Sequence, residues 1–328
     1  MNPSKKIFVL YTGGTIGMSQ SSDGLRPDTA LVGKALQPFS DGMAFDWHIC
    51  APLIDSSAVT LADWRAWLAL LADKIPQYDG VLVLHGTDTL AYTANMLALA
   101  LEGLDKPVVL TGAQWPYDAP GSDAPRNLAT AVAAFELDWP QVVIAFDGKL
   151  FPAVGSSKVS TETAAGFDNL HFGCLAERQG ESWAAVSVPT TRSAQPFGVH
   201  LPAADAAVVC HTLIPGCAVR QISDGLKHTD AQAVILQSYG HGNAPADAAF
   251  IEAVGAYVRR GGLVLNISQV PQGCAAAVYA QGSALRQAGV VNAGKCNLET
   301  ATALLTLAVS AGWDAEILRG KLQSLGLV

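Results

Sequence analysis

Two short apolar runs in the first third of the chain end in the same way, and this repetition constrains the fold most. Residues 7–10 read Ile-Phe-Val-Leu and residues 81–84 read Val-Leu-Val-Leu, and each run then breaks into glycine and threonine. Apolar runs of this length, rich in β-branched residues, are typical of strands covered on both faces. The pair therefore predicts a parallel sheet buried between helices.

The loops that follow these two strands carry hydroxyl groups, on Thr15 and Thr87. In an open parallel sheet, the loops at the carboxyl ends of the strands form the ligand-binding crevice, so both hydroxyls are expected to face one pocket. A hydroxyl there can act as a covalent nucleophile when a neighbour activates it. A dinucleotide loop or a plain β-turn remains an alternative for the first loop. That loop does not match Gly-x-Gly-x-x-Gly, however, and the chain has no Walker phosphate loop.

Strand and helix patterns alternate along most of the chain, which predicts an α/β fold with a mostly parallel sheet between helices. The predicted strands span residues 7–11, 81–85, 108–112, 142–146, 233–238 and 263–268. The predicted helices span residues 61–75, 92–102, 126–137, 245–260, 297–310 and 314–322. A stretch rich in Pro, Ser and Thr interrupts the alternation. We therefore predict a larger N-terminal domain over residues 1–188, a linker over 189–206 and a smaller C-terminal α/β domain over 207–328.

Charge and residue patterns exclude several classes of protein. The formal net charge is −8 and no cluster of Lys and Arg occurs, which argues against a nucleic-acid partner. No stretch reaches the roughly 18 apolar residues of a membrane helix, and the amino terminus does not resemble a signal peptide. The six cysteines lack paired metal-binding spacing, and no metal-binding histidine motif is present. These patterns predict a cytoplasmic protein with no membrane partner, no metal and no cofactor.

Five segments stand out in chain order: Thr12-Gly13-Gly14-Thr15, His85-Gly86-Thr87-Asp88-Thr89, Thr111-Gly112-Ala113-Gln114, Ser157-Lys158-Val159 and Ser238-Tyr239-Gly240-His241-Gly242-Asn243. In this order they resemble the bacterial-type L-asparaginases, and in particular their cytoplasmic (type I) branch. The resemblance covers nearly the whole chain. It implies hydrolysis of L-asparagine to L-aspartate and ammonia through a threonine acyl-enzyme.

The resemblance also assigns catalytic roles. It implies that Thr15 is the nucleophile and that Thr87, Asp88 and Lys158 form a second catalytic group. A lysine amine can serve as a base when burial favours its neutral form and a carboxylate orients it. Asp88 is also expected to hold the α-ammonium group of the substrate. From its polar neighbours alone, Lys158 would instead be a solvated loop lysine.

Four further residues are implied to bind the substrate. Ser56 and the adjacent Ser57 are expected to hold its α-carboxylate, although the same segment also fits the lead-in to a helix. The Ala113 carbonyl is expected to face the amide nitrogen that leaves. Asn243 is expected to reach a site shared between subunits, which implies a homodimer or homotetramer. A turn asparagine is the alternative for Asn243.

One position departs from the family pattern. Many members carry a tyrosine on a mobile lid after the first threonine, and Leu25 stands where that tyrosine is expected. Either another hydroxyl or a water then assists Thr15, or activation of Thr15 works differently here. Among the tyrosines we favour Tyr117, because it follows the third loop of the same sheet edge.

Three alternative functions remain open from the sequence. Two lie within the family: a glutaminase-asparaginase, and the amidase subunit that supplies ammonia to a tRNA amidotransferase. That subunit usually carries an extra amino-terminal domain, for which a strand starting at Ile7 leaves no room. The third is a catalytically inactive protein that binds and senses asparagine. Discrimination between asparagine and glutamine rests on one methylene, worth about 1–3 kcal/mol.

Overall fold

The computed structural model describes residues 5–21, 24–187, 195–276 and 280–328. The chain divides into two compact units, Met1–His200 and Leu201–Val328. This division falls inside residues 189–206, the segment predicted as a linker. Residues 188–194 lie outside the described chain, and the linker assignment stays a prediction.

The first unit contains strands and helices in the alternation that the sequence predicts. Its strands are β1 (Lys5–Tyr11), β2 (Met18–Ser21), β3 (Gly24–Pro27), β4 (Met43–Ile49), β5 (Gly80–Leu84), β6 (Leu101–Glu102), β7 (Val108–Thr111), β8 (Val142–Phe146), β9 (Lys149–Pro152), β10 (Ser157–Lys158), β11 (Phe167–Asp168), β12 (Ala176–Gln179), β13 (Ser182–Val186) and β14 (Gly198–Val199). Its α-helices are α1 (Thr29–Leu36), α2 (Leu61–Lys74), α3 (Leu90–Ala100) and α4 (Ala124–Ala134).

One eight-stranded sheet organises this unit, in the order β13-β12-β9-β8-β7-β5-β1-β4. Strands β4, β1, β5, β7 and β8 are parallel, and β9, β12 and β13 extend the sheet in antiparallel fashion. Every residue of β5, β7 and β8 is buried, as a strand covered on both faces requires. The prediction of a mostly parallel α/β sheet is confirmed.

The chain reverses between β8 and β9 at a tight turn. Asp147 and Gly148 both adopt positive φ, at 47° and 77°. Two consecutive residues with positive φ match the twist of a two-residue β-hairpin, and an Asp-Gly pair adopts them at low cost. This turn begins the antiparallel extension, beyond which lies the loop that carries Lys158.

Helix α2 begins at a reciprocal cap. The Asp63 amide donates to Thr60 Oγ1, and Asp63 Oδ2 accepts from the Thr60 amide at 2.8 Å. Such a cap stabilises a helix by about 1 kcal/mol. It fixes the helix start, where Trp64 lies on the buried face.

The second unit is a smaller α/β unit, as predicted. Its elements are β15 (Val208–Thr212), α5 (Ala218–His228), β16 (Ala233–Ser238), α6 (Ala248–Arg259), β17 (Leu263–Ser268), α7 (Ala280–Gln287), β18 (Val291–Asn292), α8 (Leu298–Ala311) and α9 (Ala315–Ser324). Strands β15 to β18 form a parallel sheet in sequential order. Across the described ranges of both units, no helix is long and apolar enough to span a membrane.

Candidate active site

Two threonine loops lie against each other at the carboxyl edge of the large sheet. Gly14, in the loop after β1, has φ 99°, and a Cβ added to it would lie 2.5 Å from both N and Cα of Gly86. Gly86 belongs to the loop after β5. Thr15 and Thr87 directly follow these two glycines, so the fold brings both hydroxyl-bearing loops together. A side chain at residue 14 would force them apart.

Lys158 joins the second of these loops. Its Nζ donates to Thr87 Oγ1 at 2.9 Å and to Asp88 Oδ1 at 2.7 Å. The Lys158 side chain is 17% exposed and that of Asp88 is 59% exposed. Lys158 is therefore not a solvated loop lysine, and its ion pair leaves much of the carboxylate open to solvent. The structure brings Thr87, Asp88 and Lys158 into one hydrogen-bonded group. Among the described residues, no hydrogen bond links Thr15 to that group.

Ser56 supports the loop that carries Asp88. It lies in a short 3-10 helix, Ser56–Ala58, and is buried. The Asp88 amide donates to Ser56 Oγ at 3.2 Å, and Thr89 Oγ1 donates to the Ser56 carbonyl at 2.7 Å. Ser56 Oγ has accepted one hydrogen bond and still has its own proton to donate. That leaves it suited to hold an anionic group.

Ser57 has a different environment from Ser56. It is exposed, and its amide and hydroxyl both donate to Asp55 Oδ1 at 2.9 Å. These bonds, the amide first, lower the pKa of Asp55. Asp55 is the N-cap of the 3-10 helix, so the helix lead-in expected as an alternative is present.

The third loop, after β7, is held by a buried polar network. Asn127 Nδ2 donates to the Gly112 carbonyl at 3.0 Å, and the Asp123 carboxylate accepts from the Gln114 amide at 3.0 Å. Asn127 also donates to Asp123 at 2.9 Å. Ala113 lies between the two anchored positions and is 1% exposed. Its backbone is therefore fixed, although the role predicted for its carbonyl stays a prediction.

His85 holds the second threonine loop in place through both of its ring nitrogens. It is fully buried, its Nδ1 lies 2.7 Å from the Gly86 carbonyl, and its Nε2 lies 3.0 Å from Thr93 Oγ1. Trp64 Nε1 donates to the same Thr93 oxygen at 3.0 Å. Burial lowers the pKa of His85 to about 4, so the ring is neutral near pH 7, with its proton on Nδ1 facing Gly86. The sequence places His85 in the second threonine motif but gives no sign of its partners.

The structure also gives the positions of three other residues that the sequence analysis named: Asn243, Leu25 and Tyr117. Asn243 lies in the second unit, where its backbone closes a turn with Tyr239. Asn243 Oδ1 is buried and lacks a hydrogen-bond partner in the described chain. Leu25 lies on β3, which pairs with β2 directly after the 3-10 turn Thr15–Gly17. Tyr117 packs, partly buried, against the core of the first unit.

Within the described ranges, no group of three His, Cys, Asp or Glu residues is placed to hold a metal ion.

The comparisons with known proteins agree with this architecture. Residues 6–190 match the asparaginase N-terminal domain, and residues 207–321 match the glutaminase/asparaginase C-terminal domain. The chain therefore belongs to the asparaginase family. Across 96% of this chain and 95% of the relative, it is 32% identical to L-asparaginase 1 of Escherichia coli K12.

Solved structures give the same answer. L-asparaginase I from Vibrio cholerae superposes with a TM-score of 0.85 at 31% identity, covering 98% of this chain and 97% of that one. The thermostable L-asparaginase from Thermococcus kodakarensis superposes at 0.88 with 28% identity, covering 97% and 96%. The predicted resemblance to the bacterial-type, type I branch is confirmed.

Proposed function

We propose that this protein hydrolyses L-asparagine to L-aspartate and ammonia through an acyl-enzyme on Thr15. The observation that carries the proposal is the contact between Lys158 Nζ and Thr87 Oγ1, 2.9 Å, beside the loop of Thr15. A shielded lysine touching a hydroxyl and a carboxylate at the edge of a parallel sheet is an arrangement for moving protons. The family supplies the reaction class.

In the first half-reaction, Thr15 Oγ attacks the side-chain amide carbon of asparagine. The Thr15 proton passes through the Thr87 hydroxyl to the neutral form of Lys158. Collapse of the tetrahedral intermediate breaks the C–N bond. The nitrogen takes the proton held by Lys158, returned through Thr87, and leaves as ammonia, so that Lys158 is neutral again. An aspartyl ester on Thr15 remains.

In the second half-reaction, water attacks the ester carbonyl. One water proton returns to Thr15 Oγ by the same relay as the C–O bond breaks, and L-aspartate leaves. Asp88 holds the α-ammonium of the substrate, which is consistent with its 59% exposed side chain. Ser56, whose hydroxyl proton is available, holds the α-carboxylate. Ser57 joins it by releasing the bonds that its amide and hydroxyl donate to Asp55 in the free protein. The Ala113 carbonyl faces the leaving nitrogen.

The test is product formation by the purified protein. Ammonia and L-aspartate are expected in equal amounts from L-asparagine. Added hydroxylamine should divert part of the product to aspartyl hydroxamate, because it competes with water for the ester. Binding of asparagine without ammonia release would instead indicate a sensing protein. Faster turnover of glutamine than of asparagine would indicate a glutaminase-asparaginase.

We further propose that the protein acts in the cytoplasm as a homodimer or homotetramer. The support for assembly is the family resemblance, in which the position of Asn243 reaches a site shared between subunits. Light scattering coupled to size exclusion measures the mass of the active species. A fully active monomer at assay concentration would rule out a site shared between subunits.

A further inference from the structure

The Gln114 side chain links two parts of the candidate site that the chain keeps far apart. Its Nε2 donates to the Ser160 carbonyl at 2.7 Å and lies 3.4 Å from the Thr163 carbonyl. Its Oε1 lies 3.4 Å from Thr87 Oγ1. One amide group therefore contacts both the loop that follows Lys158 and the hydroxyl that Lys158 touches.

The Lys158 loop closes around this amide. Strands β10 and β11 pair Lys158 with Phe167, and the Val159 amide donates to the Gly166 carbonyl at 2.8 Å. A Cβ on Gly166 would lie 2.8 Å from Gln114 Nε2, so glycine at that position lets the amide enter. The loop would otherwise leave the Ser160 and Thr163 carbonyls facing inward without this donor.

The backbone beneath Gln114 is also held. Asp123 Oδ1 accepts from the amides of Gln114 and Trp115, both at 3.1 Å, and Asp123 is 5% exposed. Although Asp123 is the N-cap residue of α4, its side chain makes no capping bond to that helix. The carboxylate instead accepts from two amides of the loop after β7 and from Asn127 Nδ2, which gives the Gln114 side chain a rigid base.

We propose, resting on the proposed function, that Gln114 is a positioning residue that orients the Thr87 hydroxyl and holds Lys158 against it. While Lys158 is protonated, the Thr87 oxygen accepts from Nζ and directs its own proton towards Gln114 Oε1. The Gln114 carbonyl thereby holds the Thr87 oxygen against Nζ until Lys158 is neutral and takes the Thr87 proton in the relay. Its amide holds the loop that carries the base. Gln114 itself neither contacts the nucleophile nor takes up a proton in this proposal.

Two substitutions separate positioning from simple packing. Gln114→Met keeps the length of the side chain and removes both polar functions. We expect kcat for asparagine to fall about 10–100-fold with KM changed less than about threefold, since small displacements of aligned groups have rate effects on this scale. Gln114→Glu keeps an acceptor for Thr87 but loses the donor and adds a carboxylate beside Lys158. Its rate profile should move to higher pH, because the added charge favours the protonated form of Lys158, which already pairs with Asp88.

A second measurement does not depend on turnover. Acetic anhydride labelling of Lys158, followed by mass spectrometry as pH is varied, should reach half-labelling at higher pH in Gln114→Glu than in wild type. In Gln114→Met, labelling should be faster than in wild type because the loop is no longer held. The matched control is Gln77→Met, where Nε2 of an exposed glutamine also donates to a backbone carbonyl, that of Asp73, at 2.7 Å.

The experiments distinguish failure of the Gln114 inference from failure of the proposed function. An active wild type whose Gln114 variants keep its kcat and its labelling profile overturns the inference and leaves the proposed function intact. A wild type that releases no ammonia overturns the proposed function. Lys158 labelling that still changes with Gln114 and not with Gln77 would then support the positioning of Lys158 by itself.

Discussion

Gly14 lies so close to Gly86 that the two loops leave no room for a side chain at residue 14. The position of a Gly14 Cβ is 2.5 Å from two backbone atoms of Gly86, and backbone atoms cannot move aside as the end of a flexible side chain can. The spacing of the two threonine loops thus depends on the absence of one carbon atom.

Substituting Gly14 should therefore damage stability and activity together. Gly14→Ala combines this clash with a φ of 99°, and backbone strain of this kind alone costs about 1–3 kcal/mol. Urea unfolding and kcat both report the effect. The matched control is Gly33→Ala in α1, where a Cβ meets no atom within 4 Å. That change should stabilise by about 0.5–1 kcal/mol and leave kcat alone. Wild-type activity in Gly14→Ala would contradict the close loop contact.

Removing the nucleophile should abolish turnover without unfolding the protein. Thr15→Ala is expected to lower kcat by at least about a hundredfold, since single deletions of a covalent nucleophile commonly exceed this loss. Asparagine binding, measured by calorimetry, should persist. A variant that keeps more than about a tenth of the wild-type kcat would remove Thr15 from that role.

The proton relay predicts a different signature for its base. Lys158→Met should reduce kcat far more than it raises KM, because the base acts in the transition state, and Thr87→Val should behave similarly. The control is Lys34→Met, which changes an exposed lysine of α1. A Lys158→Met enzyme with a normal rate near neutral pH would eliminate the relay.

His85 should make the protein less stable in acid. Burial lowers its folded-state pKa to about 4 from an ordinary 6.5, so the unfolded chain takes up a proton first. The stabilising contribution is complete above pH 6.5 and declines as pH falls towards 4. Between pH 7.5 and 5, His85 should account for about 2 kcal/mol of lost unfolding free energy.

Comparison with His85→Gln isolates this contribution, because the glutamine does not titrate and its loss over the same pH interval should be smaller. His48→Gln, at an exposed histidine, serves as the control and should follow wild type. Equal losses in His85→Gln and wild type would show that His85 does not carry the effect.

The lid hypothesis can be tested through Tyr117. If its hydroxyl replaces the missing lid tyrosine, Tyr117→Phe should lower kcat at least about tenfold, at the weak end of proton-transfer effects. The matched control is Tyr11→Phe. Burial raises the pKa of Tyr11 to about 12, and its hydroxyl has no hydrogen-bond partner in the described chain. Removing it should leave kcat unchanged and stabilise by about 1 kcal/mol. An unchanged kcat and pH profile in Tyr117→Phe would exclude Tyr117.

The buried parallel strands could be predicted because each of them is a continuous apolar run in the sequence. Strand β5 was expected at residues 81–85 and occurs at Gly80–Leu84, and β8 occurs at the expected 142–146. Strand β4 was missed, although Met43, Phe45 and Trp47 are more buried than the residues between them, the alternation of an edge strand. The Asp147-Gly148 pair was likewise an available hairpin signal.

Much of the candidate site could not be predicted in this way. The motifs of Thr15, Thr87 and Lys158 predict that these residues meet, but they do not reveal the side chains that support them. Gln114 reaches a carbonyl 46 residues away, and Trp64 meets Thr93 across 29. Such contacts depend on how helices and loops pack, which periodicity does not encode. Asp123 would be expected to cap its own helix, yet it serves a neighbouring loop instead.

Lys158 follows Thr87 by 71 positions in the chain, and this order matters for the nascent protein. During synthesis, both threonine loops leave the ribosome well before the lysine that is proposed to activate them. Closing so long a segment carries an entropic penalty that only the assembled sheet can offset. A chain that ends before Lys158 should therefore be inert, and activity should appear only once the β10–β11 loop brings Lys158 to Thr87.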